Sequence, residues 1–268
     1  MSKHIHLFLS VLLLSLLQAC GGGSGDDRAD AAPPAAKGLA AADTDICTIS
    51  ARFVPKETRR FMLFSAYNQS ILRGESEQID SGAMVRLGTA TLSGSRQTVD
   101  IAGDAHHALG RWLKGTVTDS SGTKTLNGDN HLSYHYLAFN GVTALPTSGQ
   151  AECKTVATTA PTANSGRHAK VGSASGTSSL SFSARGATAR ATIQVRVGGE
   201  SAPLALSAEI TDVDSTSFTG LLLAQGPGAA LMLADQGSPI PGLVMGYRAQ
   251  LPGGTFYTGV ARLSCTGK

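Results

Sequence analysis

The sequence predicts an all-β protein in which a smaller β-rich handle domain precedes an eight-stranded antiparallel up-and-down β-barrel. Two observations support this prediction. From residue 149 onward, short runs of alternating apolar and polar residues are separated by turn-forming residues, which is typical of half-buried strands joined by hairpins. The composition agrees, because 32 glycines, 5% aromatic and 15% charged residues are typical of a β-rich chain with many turns.

Residues 1–19 resemble a bacterial lipoprotein signal peptide. Lys3 precedes an apolar run, Leu7–Leu17, that is too short to span a bilayer as a helix, and the run ends in Leu17-Gln18-Ala19-Cys20. The resemblance implies cleavage before Cys20 and attachment of lipid to that cysteine. Gly21 after the cysteine then implies delivery to the outer membrane. The second residue of the motif departs from the usual type, so ordinary secretion remains the alternative.

Residues 20–44 are predicted to be a disordered tether. They consist mainly of Gly, Ala, Pro and Asp, so they cannot bury enough apolar surface to become ordered. A flexible coil of this length reaches roughly 25–30 Å. We therefore expect the tether to hold the folded part away from the membrane.

Residues 45–146 are predicted to form the handle domain. Ala83–Ile101 and Thr116–Phe139 are typical of strands, and the turn sequences Ser120-Ser121-Gly122 and Asn127-Gly128-Asp129 interrupt the second stretch. Arg52–Leu72 carries both helix and strand signals, which the sequence does not separate.

Residues 147–268 are predicted to form the barrel. The clearest strand is Ala189–Val197, in which apolar and polar residues alternate strictly. The other strands are predicted at 149–156, 180–185, 204–210, 215–225, 229–236, 243–251 and 257–265. Closure of the barrel removes both sheet edges. The second face carries Arg190, Arg196 and Glu209 instead of a lipid-facing apolar band, so we expect an apolar interior and a polar exterior.

Three cysteines remain once Cys20 is assigned to the lipid, and three cannot all pair within one chain. The alternation of residues along their strands predicts that Cys153 and Cys265 both point into the barrel. The first and last strands of an up-and-down barrel are antiparallel neighbours, so we predict a disulfide between these two cysteines. Pairing of Cys47 with Cys265 remains the alternative. Export from the cytoplasm permits disulfides.

Three motifs resemble a large group of exported proteobacterial proteins: Gly110-Arg111-Trp112, His135-Tyr136 and Leu145-Pro146-Thr147-Ser148-Gly149-Gln150-Ala151. In that group they precede an eight-stranded barrel. The chain is more distantly similar to the handle-plus-barrel unit of transferrin-binding protein B and related surface lipoproteins, which include heparin-binding and haem-acquisition proteins. Met232-Leu233-Ala234-Asp235-Gln236-Gly237 replaces the G-F-[FY]-G-P motif that these proteins carry before the last hairpin, which puts transferrin binding itself in doubt.

The candidate ligand-binding residues are Trp112, His131, Tyr134 and His135. On a helix, His131 and His135 would share a face and a metal ion. The neighbouring aromatic residues favour a strand, where the two histidines lie about 13 Å apart, point to solvent and leave Tyr134 in the core. Haem ligation by one histidine in a handle pocket and a transition-metal site are the alternatives to a structural role, and we predict no metal ligand. We expect Trp112 to lie in the core, with anchoring of an interface as the alternative.

The sequence therefore predicts a lipid-anchored, non-enzymatic binding protein of the outer membrane. It would capture a host macromolecule or haem through handle loops and the barrel rim, with the membrane and a host or envelope protein as partners. The alternatives are a structural or adhesive envelope protein without a soluble ligand, and a lipocalin-like carrier of a small apolar molecule. A net charge of +3 without a basic cluster argues against a nucleic-acid partner.

Overall fold

A computed structural model of the chain describes residues 48–166 and 170–268. The signal peptide, the tether, Cys20 and Cys47 lie outside this part of the chain, and so do the predictions about them. The described residues form strands and two short 3₁₀ turns, η1 (Asn130–Leu132) and η2 (Leu222–Ala224). Among these residues, no helix has the length and apolar character that crossing a membrane requires.

The handle is a nine-stranded sheet. Its strands are β1 (Thr48–Ile49), β2 (Arg59–Phe64), β3 (Gln69–Leu72), β4 (Ser76–Gln78), β5 (Met84–Leu87), β6 (Ala90–Asp104), β7 (His107–Asp119), β8 (Gly122–Asn127) and β9 (Tyr134–Asn140). They follow the order β3-β2-β9-β7-β6-β5-β4, with β1 paired to β6 and β8 paired to β7. The segment whose signals conflicted, Arg52–Leu72, forms the hairpin of β2 and β3.

The second sheet forms the barrel. Its strands are β10 (Gly149–Thr158), β11 (Thr162–Ala163), β12 (Ser173–Ser183), β13 (Gly186–Val197), β14 (Glu200–Ile210), β15 (Ser217–Gly220), β16 (Gly228–Ala234), β17 (Gly242–Gln250) and β18 (Phe256–Gly267). Eight of them follow the order β14-β13-β12-β10-β18-β17-β16-β15, and β11 pairs with β18. Because β14 and β15 at the two ends also lie in contact, the sheet is a nearly closed antiparallel barrel, as predicted.

One predicted strand is much shorter in the structure. The segment 215–225 forms β15 over only four residues and then turns into η2. Gln225 ends this turn in the left-handed region, with a φ of 62°. Phe218 therefore lies on a strand, as predicted, whereas Leu221 and Leu223 lie on the turn that follows it.

The barrel interior is a continuous buried cluster. Along β13, Ala191, Ile193 and Val195 point inward and are buried, whereas Arg190 and Arg196 point outward and are exposed. This strand has the period that its sequence predicts.

Cys153 and Cys265 form a disulfide, as predicted. The two residues are directly opposite each other in the ladder between β10 and β18, with 4.0 Å between their Cα atoms. The bond therefore joins the first barrel strand to the last.

A further buried cluster joins the two sheets. Met62 and Phe64 of β2 pack against Val244 of β17 and Val260 of β18. Gly246 permits this close approach, because a Cβ atom at that position would lie 2.5 Å from the Phe64 ring. Strands β17 and β18 are consequently buried on both faces.

Candidate functional site

Trp112 lies in the core of the handle and is fully buried. Its indole Nε1 donates a hydrogen bond to the carbonyl oxygen of Met84 at 2.7 Å, and its ring centre lies 5.8 Å from that of Tyr136. The tryptophan therefore supports the sheet from inside and presents no surface to a partner.

His135 is fully buried between the handle and the barrel, so the expectation that it points to solvent is wrong. It occupies the face of β9 opposite to Tyr134 and Tyr136, as its period predicts, but the segment Thr159–Thr162 covers that face. Its Nδ1 lies 2.7 Å from the hydroxyl of Thr159, and its Nε2 lies 2.8 Å from the hydroxyl of Thr162. The segment Thr159–Thr162, and not water, therefore contacts this face of β9.

Burial lowers the pKa of His135 well below its ordinary value, and the positive charge of Arg111 lowers this pKa further. A neutral imidazole has one donor and one acceptor nitrogen, and each can be satisfied by one of the two threonine hydroxyls. Metal or haem ligation by His135 would require one of these hydrogen bonds to break.

A buried ion pair lies beside this histidine. Arg111 Nε donates to a carboxylate oxygen of Asp100 at 2.8 Å, and Arg111 Nη1 donates to the side-chain oxygen of Asn130 at 2.7 Å. The same Asp100 oxygen accepts the backbone N–H of Ala160 at 3.0 Å. The network ties the chain that leads into η1 to the linker that covers His135.

The other two candidates, His131 and Tyr134, come together at a separate cavity of about 260 Å³, which we call the handle cavity. His131 lies on η1 and Tyr134 begins β9. The cavity is lined by Ser65, Ala66, Tyr67, Lys124, Thr125, Leu126, His131, Leu132 and Tyr134. Most of its wall is apolar. The structure thus groups His131 with Tyr134 and separates both from His135.

The loop on one side of the handle cavity is held in place by its first residue. Ser65 Oγ accepts the backbone N–H groups of Tyr67 at 3.3 Å and Asn68 at 3.0 Å. Asn68 in turn donates its side-chain amide to Asp119 at 3.1 Å. This loop presents Tyr67 with 70% of its surface exposed.

Two buried polar atoms of the cavity residues have no hydrogen-bond partner among the residues that the structure describes: Tyr134 Oη and His131 Nδ1. Buried polar groups are ordinarily paired, and each exception calls for an explanation. Lys124 brings a positive charge to the same place, with its Nζ 6.0 Å from the centre of the Tyr134 ring. Within 48–166 and 170–268, no three His, Cys, Asp or Glu side chains are grouped to hold a metal ion.

A second surface lies where the handle meets the barrel rim. Four of the seven large apolar side chains exposed in the described residues belong to two regions there: Tyr67 on the loop after β2, and Phe218, Leu221 and Leu223 on β15 and the turn that follows it. We call these four residues the junction rim. Arg248 holds the two regions together, because its guanidinium donates both to the Ala66 carbonyl and to the Gln225 side chain. Sequence reasoning missed this surface because the second region was assigned to a strand.

Comparison with known proteins gives little further information. No protein-family model matches the chain, and no curated protein matches it. A mutant of the vaccine antigen transferrin-binding protein B from Haemophilus parasuis Hp5 is a similar solved structure, with 13% sequence identity and a TM-score of 0.36. The match covers 77% of this chain and 45% of that one, so this chain is similar to less than half of that protein.

Proposed function

We propose that this protein is a non-enzymatic binding module of the bacterial envelope that captures another protein at the junction rim. The observation behind this proposal is the concentration of exposed Tyr67, Phe218, Leu221 and Leu223 on two regions held together by one arginine. Exposed apolar residues that cluster in this way are typical of interaction sites. Aromatic side chains among them favour a protein partner, because such residues dominate the energetics of protein interfaces.

The outer wall of β12 to β14 is polar, unlike the junction rim, and this difference supports the proposal. Its outward positions are mainly Ser, Thr and charged residues, including Ser179, Thr192 and Arg190. Such a surface is well hydrated and gains little from being covered. An apolar partner surface would therefore be buried more favourably at the junction rim than on this wall.

A photo-crosslinking amino acid at position 223 tests the proposal, with the same amino acid at Val156 as the control. Val156 is also an exposed apolar residue but lies on β10, outside the junction rim. We expect one protein from serum or from an envelope extract to crosslink at 223 and not at 156. The purified partner should then lose at least tenfold in affinity for the variant Leu221→Ser/Leu223→Ser. Equal crosslinking at both positions, or unchanged affinity of the variant, would reject the junction rim as the binding surface.

Attachment to the outer membrane through Cys20 is part of the same proposal and has its own test. Lipid chains contribute about 0.8 kcal/mol per buried CH₂ group, so several chains hold a protein on a membrane essentially permanently. Metabolic labelling with palmitate should mark the wild type, whereas Cys20→Ser should stay unlabelled and be released from membranes. A wild-type protein that is itself unlabelled would rule out the anchor.

Haem is not part of the proposed function. The handle cavity measures about 260 Å³, slightly below the usual 300–1,000 Å³ of ligand pockets, so it does not enclose a macrocycle. His135 uses both of its ring nitrogens in hydrogen bonds. The carrier alternative is also less favoured, because the inward side chains of the barrel pack into one buried cluster.

A further inference from the structure

The handle cavity contains apolar and polar groups that the proposed capture of a protein at the junction rim does not use. Its lining residues combine an apolar wall with Tyr67 and Tyr134 and with two further polar residues, Lys124 and His131. Lys124 Nζ lies 6.0 Å from the centre of the Tyr134 ring, and Tyr134 Oη and His131 Nδ1 are buried without a partner among the described residues. Tyr134 is almost fully buried, yet its hydroxyl has no partner among the described residues. An unpaired buried hydroxyl destabilises the folded protein, because it has lost its hydrogen bonds to water. A ligand that accepts its hydrogen bond would recover that cost.

The volume of the cavity limits the size of such a ligand. An apolar cavity of about 150 Å³ holds one benzene molecule, and the handle cavity, at about 260 Å³, has room for a ring and a small substituent. One six-membered ring with a three-atom substituent has this size. A fatty acid or a multi-ring compound would extend beyond the walls.

The polar groups determine the charge of the ligand. A lysine ammonium is only a donor, and a phenol donates readily, so the matching ligand group is an acceptor. Because the lysine is charged, a negatively charged acceptor gains most, and charge-assisted hydrogen bonds are about twice as strong as neutral ones. His131 Nδ1 adds a third donor in the tautomer that carries its proton on that nitrogen. A carboxylate meets these requirements, and the apolar wall favours an aromatic ring behind it.

We propose that the handle cavity is a binding site for a monocyclic aromatic carboxylate, with benzoate as its simplest member. The carboxylate lies toward Lys124 and the Tyr134 hydroxyl, and the ring lies against the apolar wall. This site is separate from the proposed capture of a protein at the junction rim, although Tyr67 belongs to both.

Isothermal titration of the whole protein with benzoate, and with benzyl alcohol as the uncharged comparison, tests the inference. We expect saturable one-to-one binding of benzoate and at least tenfold weaker binding of benzyl alcohol. Lys124→Gln should weaken benzoate binding about tenfold. Lys154→Gln is the matched control, because Lys154 is an exposed lysine on the barrel strand β10, and this variant should bind as the wild type does.

Tyr134→Phe separates a binding role from a structural one. Because the hydroxyl has no partner among the described residues, its removal should leave the melting temperature of the free protein unchanged or higher, while benzoate affinity falls about tenfold. A lower melting temperature with unchanged affinity would overturn the inference, as would equal binding of the alcohol or an absence of saturable benzoate binding. Leu221→Ser/Leu223→Ser should leave benzoate affinity unchanged, so failure of this site is distinguishable from failure of the junction rim.

Discussion

The outer face of the barrel is open to water on β12 to β14 and covered by the handle on β17 and β18. Both regions alternate apolar inward residues with outward residues that include arginines. Arg190 and Arg196 are exposed on the open wall, whereas Arg248 and Arg262 on the covered wall are each only 2% exposed. An arginine at an outward position therefore indicates which way the strand faces, and it does not indicate that the position meets water.

The covered wall accommodates its arginines through hydrogen bonds instead of hydration. Arg248 donates to the Ala66 carbonyl of the handle and to the Gln225 side chain, and Arg262 Nη1 donates to the Leu263 carbonyl at 2.5 Å. Such charge-assisted bonds offset part of the cost of removing a guanidinium from water. The difference between the two walls leads to four predictions, ordered from the largest expected effect to the smallest.

On the open wall, inward and outward neighbours on one strand should respond very differently. Val195 is fully buried, so Val195→Asp places an unpaired charge in the core and should destabilise the fold by more than about 4 kcal/mol, which prevents folding. Its exposed neighbour Arg196 should tolerate Arg196→Ala within about 0.5 kcal/mol. Urea unfolding followed by circular dichroism measures both. Similar losses from the two substitutions would show that the assigned register is wrong.

The disulfide joins the covered wall to the strand beside the open wall, because Cys265 lies on β18 and Cys153 lies on β10, between β18 and β12. The cysteines are 112 residues apart, so Cys153→Ala/Cys265→Ala should cost up to about 5 kcal/mol through the entropy of the unfolded chain. Thermal unfolding with and without a reductant measures the loss, and Cys47→Ala serves as the control that changes nothing. Peptide mapping under non-reducing conditions should show one linked pair, and a bridge that contains Cys47 would contradict the structure.

A larger side chain should lower the free energy of unfolding on the covered wall and leave it nearly unchanged on the open wall. Gly246→Val inserts atoms into the space of the Phe64 ring and should destabilise the protein by about 1–3 kcal/mol. Ala205→Val is the matched control on β14, because it adds the same β-branched side chain at an exposed outward position. Its free energy of unfolding should change by less than about 0.5 kcal/mol. Equal tolerance at the two positions would mean that the handle does not pack on β17 in solution.

Mild acid should weaken the covered side of the molecule through His135. The pKa of this histidine is lowered in the folded state, so below the ordinary value of 6.5 the unfolded chain takes up a proton that the folded chain does not. Stability should therefore be complete above pH 6.5 and fall as the pH decreases below it. Urea unfolding at pH 7.5, 6.0 and 5.0 measures this dependence.

The control for this pH dependence is His135→Gln, because a side chain that does not titrate should remove the decrease in stability between pH 7.5 and 5.0. Asp104 acts at lower pH. Burial raises its pKa, but its hydrogen bond to His107 and the charge of that histidine together outweigh burial and lower this pKa well below the ordinary 3.8, so its contribution is lost only in stronger acid. A stability that stays constant from pH 7.5 to 5.0 would contradict the burial of a neutral His135.

Local alternation was enough to predict much of the barrel. Strand β13 lies where the strict period of Ala189–Val197 predicts it, and the inward positions of Cys153 and Cys265 led to the correct disulfide. Turn residues such as Gly198-Gly199 marked where strands end. These features depend on neighbours in sequence and on the closure of one sheet, so a single chain carries enough information to predict them.

The sequence by itself therefore determined the β class and the inward and outward sides of the barrel strands, and it favoured the pairing of Cys153 with Cys265 that the structure shows. Only the tertiary structure decided which outward faces meet water, that His135 lies under Thr159 and Thr162, and that His131 and Tyr134 share a cavity. The physical reason is distance along the chain. Phe64 packs on Gly246 although the two residues are more than 180 positions apart in the sequence. The alternation within one strand does not indicate which distant part of the chain will pack against its outward face.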